Sequence, residues 1–344
     1  MASLGGPDHH YGRVNCLKRI LSSNGFRLGL ALVISSLTLY LALRQVDLAE
    51  VRQVLATADW RYAALGVLSG VLGMGLKVSR WMLLMRKSEP VASDEAPAGW
   101  QPAATSFLSA QLINNFFPLR VGELGRVAVM GRVGTGYAFV AGTIAIEKAL
   151  DLAAFAMLFG LLLLVLPSAG WLGAPAYWLA GLGLLVLLAA LLTANQQERL
   201  AGWLPGARSG GLIDRMLSQA RLALSSLEAL RRPPRLAGLA VLTALIWILA
   251  WWTNQLAFQA LGMELPPEAA LLVLVVLQVG VSLPSLPGRV GVFEYACILA
   301  LQSYGIDPAT ALSYGILLHI MVYIPVIAGG LPALWLLPTG KPAL

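Results

Sequence analysis

Charge is what this chain has least of. Only 12% of its 344 residues are charged, 17 acids against 24 Lys and Arg, while 58% are hydrophobic. Soluble domains carry roughly 25% charge, so a single water-facing globule is excluded. Cysteine is almost absent. Cys16 and Cys297 lie far apart, the second in an apolar run, and no disulfide framework is indicated. His9 and His10 are terminal and His319 stands alone, so no metal constellation forms. No nucleotide-binding glycine loop or serine nucleophile motif is present, and neither a cofactor nor a metal is expected. The net charge of +7 sits in loops, where it fits membrane orientation and anionic headgroups better than nucleic acid. Arg13, Lys18, Arg19 and Arg27 precede an apolar run from Leu28 to Leu43, but no small-x-small cleavage site follows. That run reads as a membrane helix rather than a signal peptide.

What the chain has instead is apolar length. Mean hydropathy is +0.74, and a bilayer is crossed by roughly 20 apolar residues. Long runs cover Leu28–Leu43, Tyr62–Leu84, Tyr137–Leu166, Trp171–Leu192, Leu236–Leu256 and Thr310–Trp335. Pro325 and Pro332 are expected to bend or break the last. Shorter apolar segments cover Phe107–Phe117, Leu271–Leu283 and Val292–Leu301. Ser88–Gln101 reads as a surface loop. The loop Asn195–Arg235, with seven Arg and three acids, is expected to hold an amphipathic helix around Ile213–Leu230. The positive-inside rule then puts both termini and this loop in the cytoplasm.

The chain also repeats itself. Pro118-Leu119-Arg120-Val121-Gly122 returns as Pro287-Gly288-Arg289-Val290-Gly291, 169 residues later. The same offset lays Tyr62–Leu84 on 231–253 and Tyr137–Leu166 on 306–335. With the charge-based orientation, the segment at Phe107–Arg132 enters and leaves on one side and Leu271–Leu301 on the other. The expected fold is an all-α polytopic integral membrane protein. Its two inverted-topology repeats each have about three spans and a re-entrant helical hairpin. Segments 1–27 and 336–344 flank a first repeat at 28–166 and a second at 167–335, which carries the basic loop 195–235. The alternative topology makes the short segments full spans.

Buried charge in lipid is costly and marks candidate sites. Asn114 and Asn115 bring two amides to a break shaped by Pro118 and Gly122. Arg120 offers a planar fork suited to phosphate, with Glu123 and Arg126 beside it. Glu123 is expected to pair with Arg120 or Arg126, and a purely structural ion pair near the headgroups is the alternative. The second copy offers Arg289 and Glu294, with Pro284, Pro287 and Gly291 shaping the break. Arg120 and Arg289, from opposed hairpins, are expected to contact an anionic headgroup in a shared cavity. Glu147 and Asp151 share one helix face and would repel if both were charged. With His319 they are the candidates for proton coupling. Ordinary pairing of these groups, and a satisfied interior histidine, are the plainer readings.

At Asn115-Phe116-Phe117-Pro118-Leu119-Arg120-Val121-Gly122-Glu123-Leu124-Gly125-Arg126 the chain resembles the flippase-like, lysylphosphatidylglycerol synthase transmembrane-region family. Arg80-Trp81 and Pro284 to Glu294 fit it too. The resemblance implies a polytopic inner-membrane protein that handles a lipid, such as an aminoacylated, glyco- or isoprenoid lipid. It does not imply lysyl transfer, because no room for a soluble transferase domain is seen before Leu344. The expected function is a lipid flippase or facilitator acting on an anionic or modified membrane lipid. With no ATP motif, net export would need a gradient, a partner ATPase or downhill flow. An accessory protein that recruits or stabilises a separate lipid-synthesising enzyme is the alternative. An intramembrane transferase using Glu123, Glu147 and Asp151 comes third, so enzymatic activity stays open.

Overall fold

The computed structural model describes residues 24–44, 46–86, 99–117, 121–166, 173–203, 212–283 and 285–337. Every long described element is a helix, as lipid demands of a backbone with no water to bond to. In chain order they are α1 (Asn24–Leu43), α2 (Leu48–Ala56), α3 (Trp60–Met85), α4 (Trp100–Phe116), α5 (Val121–Met130), α6 (Tyr137–Val165) and α7 (Gly173–Asn195). Then come α8 (Gln197–Trp203), α9 (Leu212–Ser225), α10 (Glu228–Arg231), α11 (Pro233–Ala260), α12 (Pro267–Gly280), α13 (Val292–Gln302) and α14 (Pro308–Trp335). Among the described residues, four helices are long and apolar enough to cross a membrane: α3, α6, α11 and α14. The α1–α2 pair, bent by 79°, makes a fifth if taken as one span. The chain is therefore a multi-pass membrane protein. Large apolar side chains such as Met157, Leu164, Trp178 and Trp335 point outward, an arrangement suited to lipid and unsuited to water.

Aspartates set several helix starts. Asp47 accepts from the Ala49 amide at 2.8 Å, Asp59 from Arg61 at 2.9 Å and Asp307 from Thr310 at 2.8 Å. Partial burial raises the Asp307 carboxyl, but hydrogen bonds from Thr310 and Ala309 outweigh it and hold the group below its ordinary 3.8. A depressed carboxyl contributes stability above its unfolded value and loses it as pH falls through the folded one. Asp307→Ala is therefore expected to cost about 1 kcal/mol at neutral pH. The gap in thermal midpoint from the parent should close as pH falls through the depressed folded-state value of Asp307.

The helices are joined by close packing of small and hydroxyl side chains, the usual means in lipid. α3 and α11 run antiparallel along their whole length. Asp59 N donates to Ala260 O at 2.7 Å and the Ser69 hydroxyl to Leu249 O at 3.2 Å. Thr253 donates to Ser69 at 3.0 Å, and at the far end Arg235 Nη1 donates to Arg86 O at 2.9 Å. α14 packs on α2, α3, α4 and α13. It runs unbroken through Pro325 and Pro332, contrary to the break expected from sequence. Gly70 on α3 leaves room for the Pro325 ring, which a Cβ there would meet at 2.7 Å. The neighbouring helix thus supports the turn that proline weakens.

Two helix pairs fold back on themselves beside these long helices. α5 returns against α4, with Gly122 seated on the Ala110 carbonyl and Phe107 beside Arg126. α12 is followed by a one-turn 3-10 segment, Pro287–Arg289, and then α13, which packs on α12 through Gly280, Val292 and Ala296. The expected amphipathic helix of the basic loop is present as α9, ending at Ser225.

Candidate functional site: two ion-paired clusters beside the hairpins

The first cluster joins α3, α5 and α6. Arg126 of α5 grips Glu147 of α6 with both arms of its fork, at 2.8 and 3.4 Å. Both side chains are buried, and the guanidinium lies over the Trp81 and Phe107 rings, 3.9 and 4.6 Å from their centroids. Trp81 is held in turn by its indole N–H, which donates to Thr143 at 3.2 Å. One turn along α6, Asp151 pairs with Arg80 of α3 at 2.7 Å, and Arg80 also donates to Thr243 of α11 at 3.2 Å. Lys148 pairs with Glu123 at 2.9 Å and stands 3.8 Å from Glu147.

Glu147 and Asp151 thus do not share one site: each has its own arginine. Glu123, expected beside Arg120 or Arg126, pairs with Lys148 rather than with Arg126, because Arg126 is turned over two aromatic rings toward Glu147. Asn114 faces inward within its hairpin, its Oδ1 accepting from the Gly122 amide at 2.8 Å. The Asn115 amide donates locally to Gln111 O at 2.8 Å. Arg120 and Pro118 lie outside the described residues, as does Pro284.

The second cluster joins α13 and α14. Glu294 and His319 approach to 2.6 Å between Oε1 and Nδ1. The other oxygen of Glu294 accepts from the Gly291 amide at 2.7 Å, so the carboxylate both starts α13 and holds the histidine. His319 is sandwiched by Phe293 and Tyr323, with centroids 4.5 and 4.3 Å away, and the Tyr323 hydroxyl donates to Gly288 O at 2.8 Å. Gly288, Arg289 and Gly291 all have positive φ, of 78°, 59° and 87°. The break beside the arginine is therefore a tight left-handed turn. An apolar pocket of about 400 Å³ opens here, lined by Phe116, Pro287, Val290, Glu294, His319 and Tyr323 among others.

The 169-residue offset relates the two clusters. Glu294 falls on Gly125, next to Arg126, and His319 falls on Leu150, between Glu147 and Asp151. Each cluster thus joins a short helix to a long one, through arginine and glutamate in the first and through glutamate and histidine in the second. Sequence reading singled out most of these residues but not the partnership of Arg80 with Asp151. The Arg80-Trp81 dipeptide was the available signal.

Ion pairs buried among multi-pass helices are costly in lipid and mark these positions as candidate functional ones. The chain belongs to a family described as the lysylphosphatidylglycerol synthase transmembrane region, whose profile matches residues 28–330. That membership and the helical architecture support a lipid-handling membrane function. The chain is also 26% identical over 341 residues to glycosyltransferase AglD of Haloferax volcanii. The match covers 87% of this chain and 52% of that protein, so the chain spans about half the length of this curated relative.

Proposed function

We propose that the protein is a lipid flippase or facilitator that moves an anionic or modified lipid between leaflets of the inner membrane. The observation that carries this reading is the antiparallel course of α3 and α11. These helices are equivalent under the 169-residue repeat. Repeats related by an axis along the membrane normal would leave equivalent spans parallel. Repeats related by an axis in the membrane plane make them antiparallel, which is the plan of inverted-repeat transporters. The hairpin lengths agree. α5, α12 and α13, of 10, 14 and 11 residues, rise only about 15, 21 and 16 Å, against about 30 Å of hydrocarbon. They are read as re-entrant, entering from opposite faces.

In this scheme the headgroup crosses through a polar groove that opens alternately to each side, while the tails stay in lipid. Arg120, Arg289, Asn114 and Asn115 meet the headgroup as it enters or leaves. Glu123, Arg126 and Glu294 orient the cationic groups and hold the hairpins to α6 and α14. Pro118, Gly122, Pro284, Pro287 and Gly291 form the breaks. Glu147, Asp151 and His319 are the titratable groups through which protons would couple.

The test is leaflet transfer of fluorescent anionic, zwitterionic and aminoacylated lipids in liposomes holding the purified chain. Transfer is expected, and Arg120→Ala/Arg289→Ala should abolish it. A second reading, an accessory protein for a lipid-modifying enzyme, draws on the AglD match, since that relative is named a glycosyltransferase and is about twice as long. Absence of transfer by folded, inserted protein would favour it.

A further inference from the structure

The first cluster holds more positive charge than its ion pairs consume. Lys77, Arg80, Arg126 and Lys148 face Glu123, Glu147 and Asp151, four cations against three anions. The pairs Arg126–Glu147, Arg80–Asp151 and Lys148–Glu123 use three of each, which leaves Lys77. It stands one turn before Arg80 on α3. Among the described residues no carboxylate stands within ion-pair distance of it. An unpaired ammonium held in an apolar protein beside an arginine is costly.

Two further donors nearby lack partners among the described residues. Arg80 is 1% exposed, and its Nε donates to nothing. Trp247 is buried one turn along α11 from the Thr243 that binds Arg80, and its indole Nε1 is likewise unbonded. Buried donors without acceptors are uncommon in proteins. The cluster is also graded in exposure. Arg80, Arg126 and Glu147 are closed off, whereas the side chains of Asp151 and Lys148 are 34% and 38% exposed and Lys77 is half-buried. Charges exposed that far along membrane helices face water rather than lipid. The charged groups thus run from a buried end to a partly exposed one.

We propose that this charged cluster, where α3, α6 and α11 meet, is a binding site for a phosphate oxyanion, held by the Lys77 ammonium and by Arg80. The surplus of one positive charge matches the single negative charge of a phosphodiester. An arginine and an ammonium from one helix face, with an indole from the facing helix, suit an anion with several acceptor oxygens. Asp151 is the counter-ion that occupies Arg80 between ligands. The assignment rests on the lipid-moving reading only for the source of the phosphate, a lipid headgroup. The site itself requires only the anion.

The test uses the full chain in detergent, titrated with dihexanoyl phosphatidylglycerol and, separately, glycerol 3-phosphate. Lys77→Met is expected to weaken binding by about tenfold or more, with a thermal midpoint equal to or above that of the parent. Losing an uncompensated charge stabilises a fold, so binding and stability should move in opposite directions, which a structural lysine would not do. Asp151→Asn should tighten binding. Binding of the short-chain lipid alone assigns the site to a headgroup, and equal binding of glycerol 3-phosphate assigns it to water-soluble phosphate esters. Unchanged affinity in Lys77→Met, or binding of neither probe, overturns the site. Anion binding without leaflet transfer overturns the transport reading and leaves the site standing. Unchanged anion affinity in Lys77→Met with leaflet transfer present does the reverse.

Discussion

Glu147→Ala is expected to destabilise the protein by about 3–5 kcal/mol, because it leaves a buried guanidinium without its counter-charge. Arg126 is 2% exposed and cannot swing to water without leaving the Trp81–Phe107 stack. Its rings return at most about 2 kcal/mol as cation–π attraction, too little to replace a two-pronged carboxylate. Of the other acids, Glu123 pairs with Lys148 and Asp151 with Arg80. Reversible unfolding in mixed micelles measures the loss directly. The double replacement Arg126→Met/Glu147→Leu removes the charge together with its partner and should recover more than half of it. A loss under about 1 kcal/mol for Glu147→Ala would mean that the pair behaves as an exposed one. Asp151→Ala should cost less, since Asp151 is partly exposed and Arg80 keeps Thr243.

Gly291→Ala should cost a comparable amount by a different route. The residue has φ 87° and ψ −52°, a conformation that costs a side-chain-bearing residue about 1–3 kcal/mol. A Cβ there would lie 2.7 Å from Ser35 O and 2.9 Å from Leu39 N. Both are backbone atoms of α1 and cannot rotate away, so overpacking adds about 1–3 kcal/mol. The same move pulls the Gly291 amide from Glu294 Oε2 and so loosens the carboxylate that holds His319. Gly160→Ala is the control: nothing lies within 4 Å of its Cβ position, and no loss is expected. Equal unfolding midpoints for the two variants would show that α1 does not seat on this turn. Leu286 N donating to the Ser35 hydroxyl at 2.8 Å is the contact that predicts otherwise.

The membrane character, the long helices and the repeated motif were legible without coordinates. Each is written locally. A run of apolar residues must become a helix in lipid because every backbone amide has to be bonded within the segment. The bounds of α3, α6, α11 and α14 accordingly fall within a few residues of the apolar runs read from sequence. Some local rules failed even so. Proline disfavours a helix interior, yet α14 carries two prolines unbroken, since Gly70 on another helix makes room for the ring.

Partnerships among the charges were a different matter. The sequence places Glu147 and Asp151 on one helix face and Glu123 next to Arg126 in the chain. It cannot say how each helix is rotated against its neighbours. Arg126 meets Glu147 across 21 residues, Glu294 meets His319 across 25, and Arg80 meets Thr243 across 163. Sequence by itself determined that a multi-pass helical protein keeps arginines and carboxylates within its membrane segments, because hydropathy and charge are properties of single residues. Only the tertiary structure decided which cation neutralises which anion among the described residues. Pairing depends on helix rotation, which is set by the packing of side chains distant in the chain.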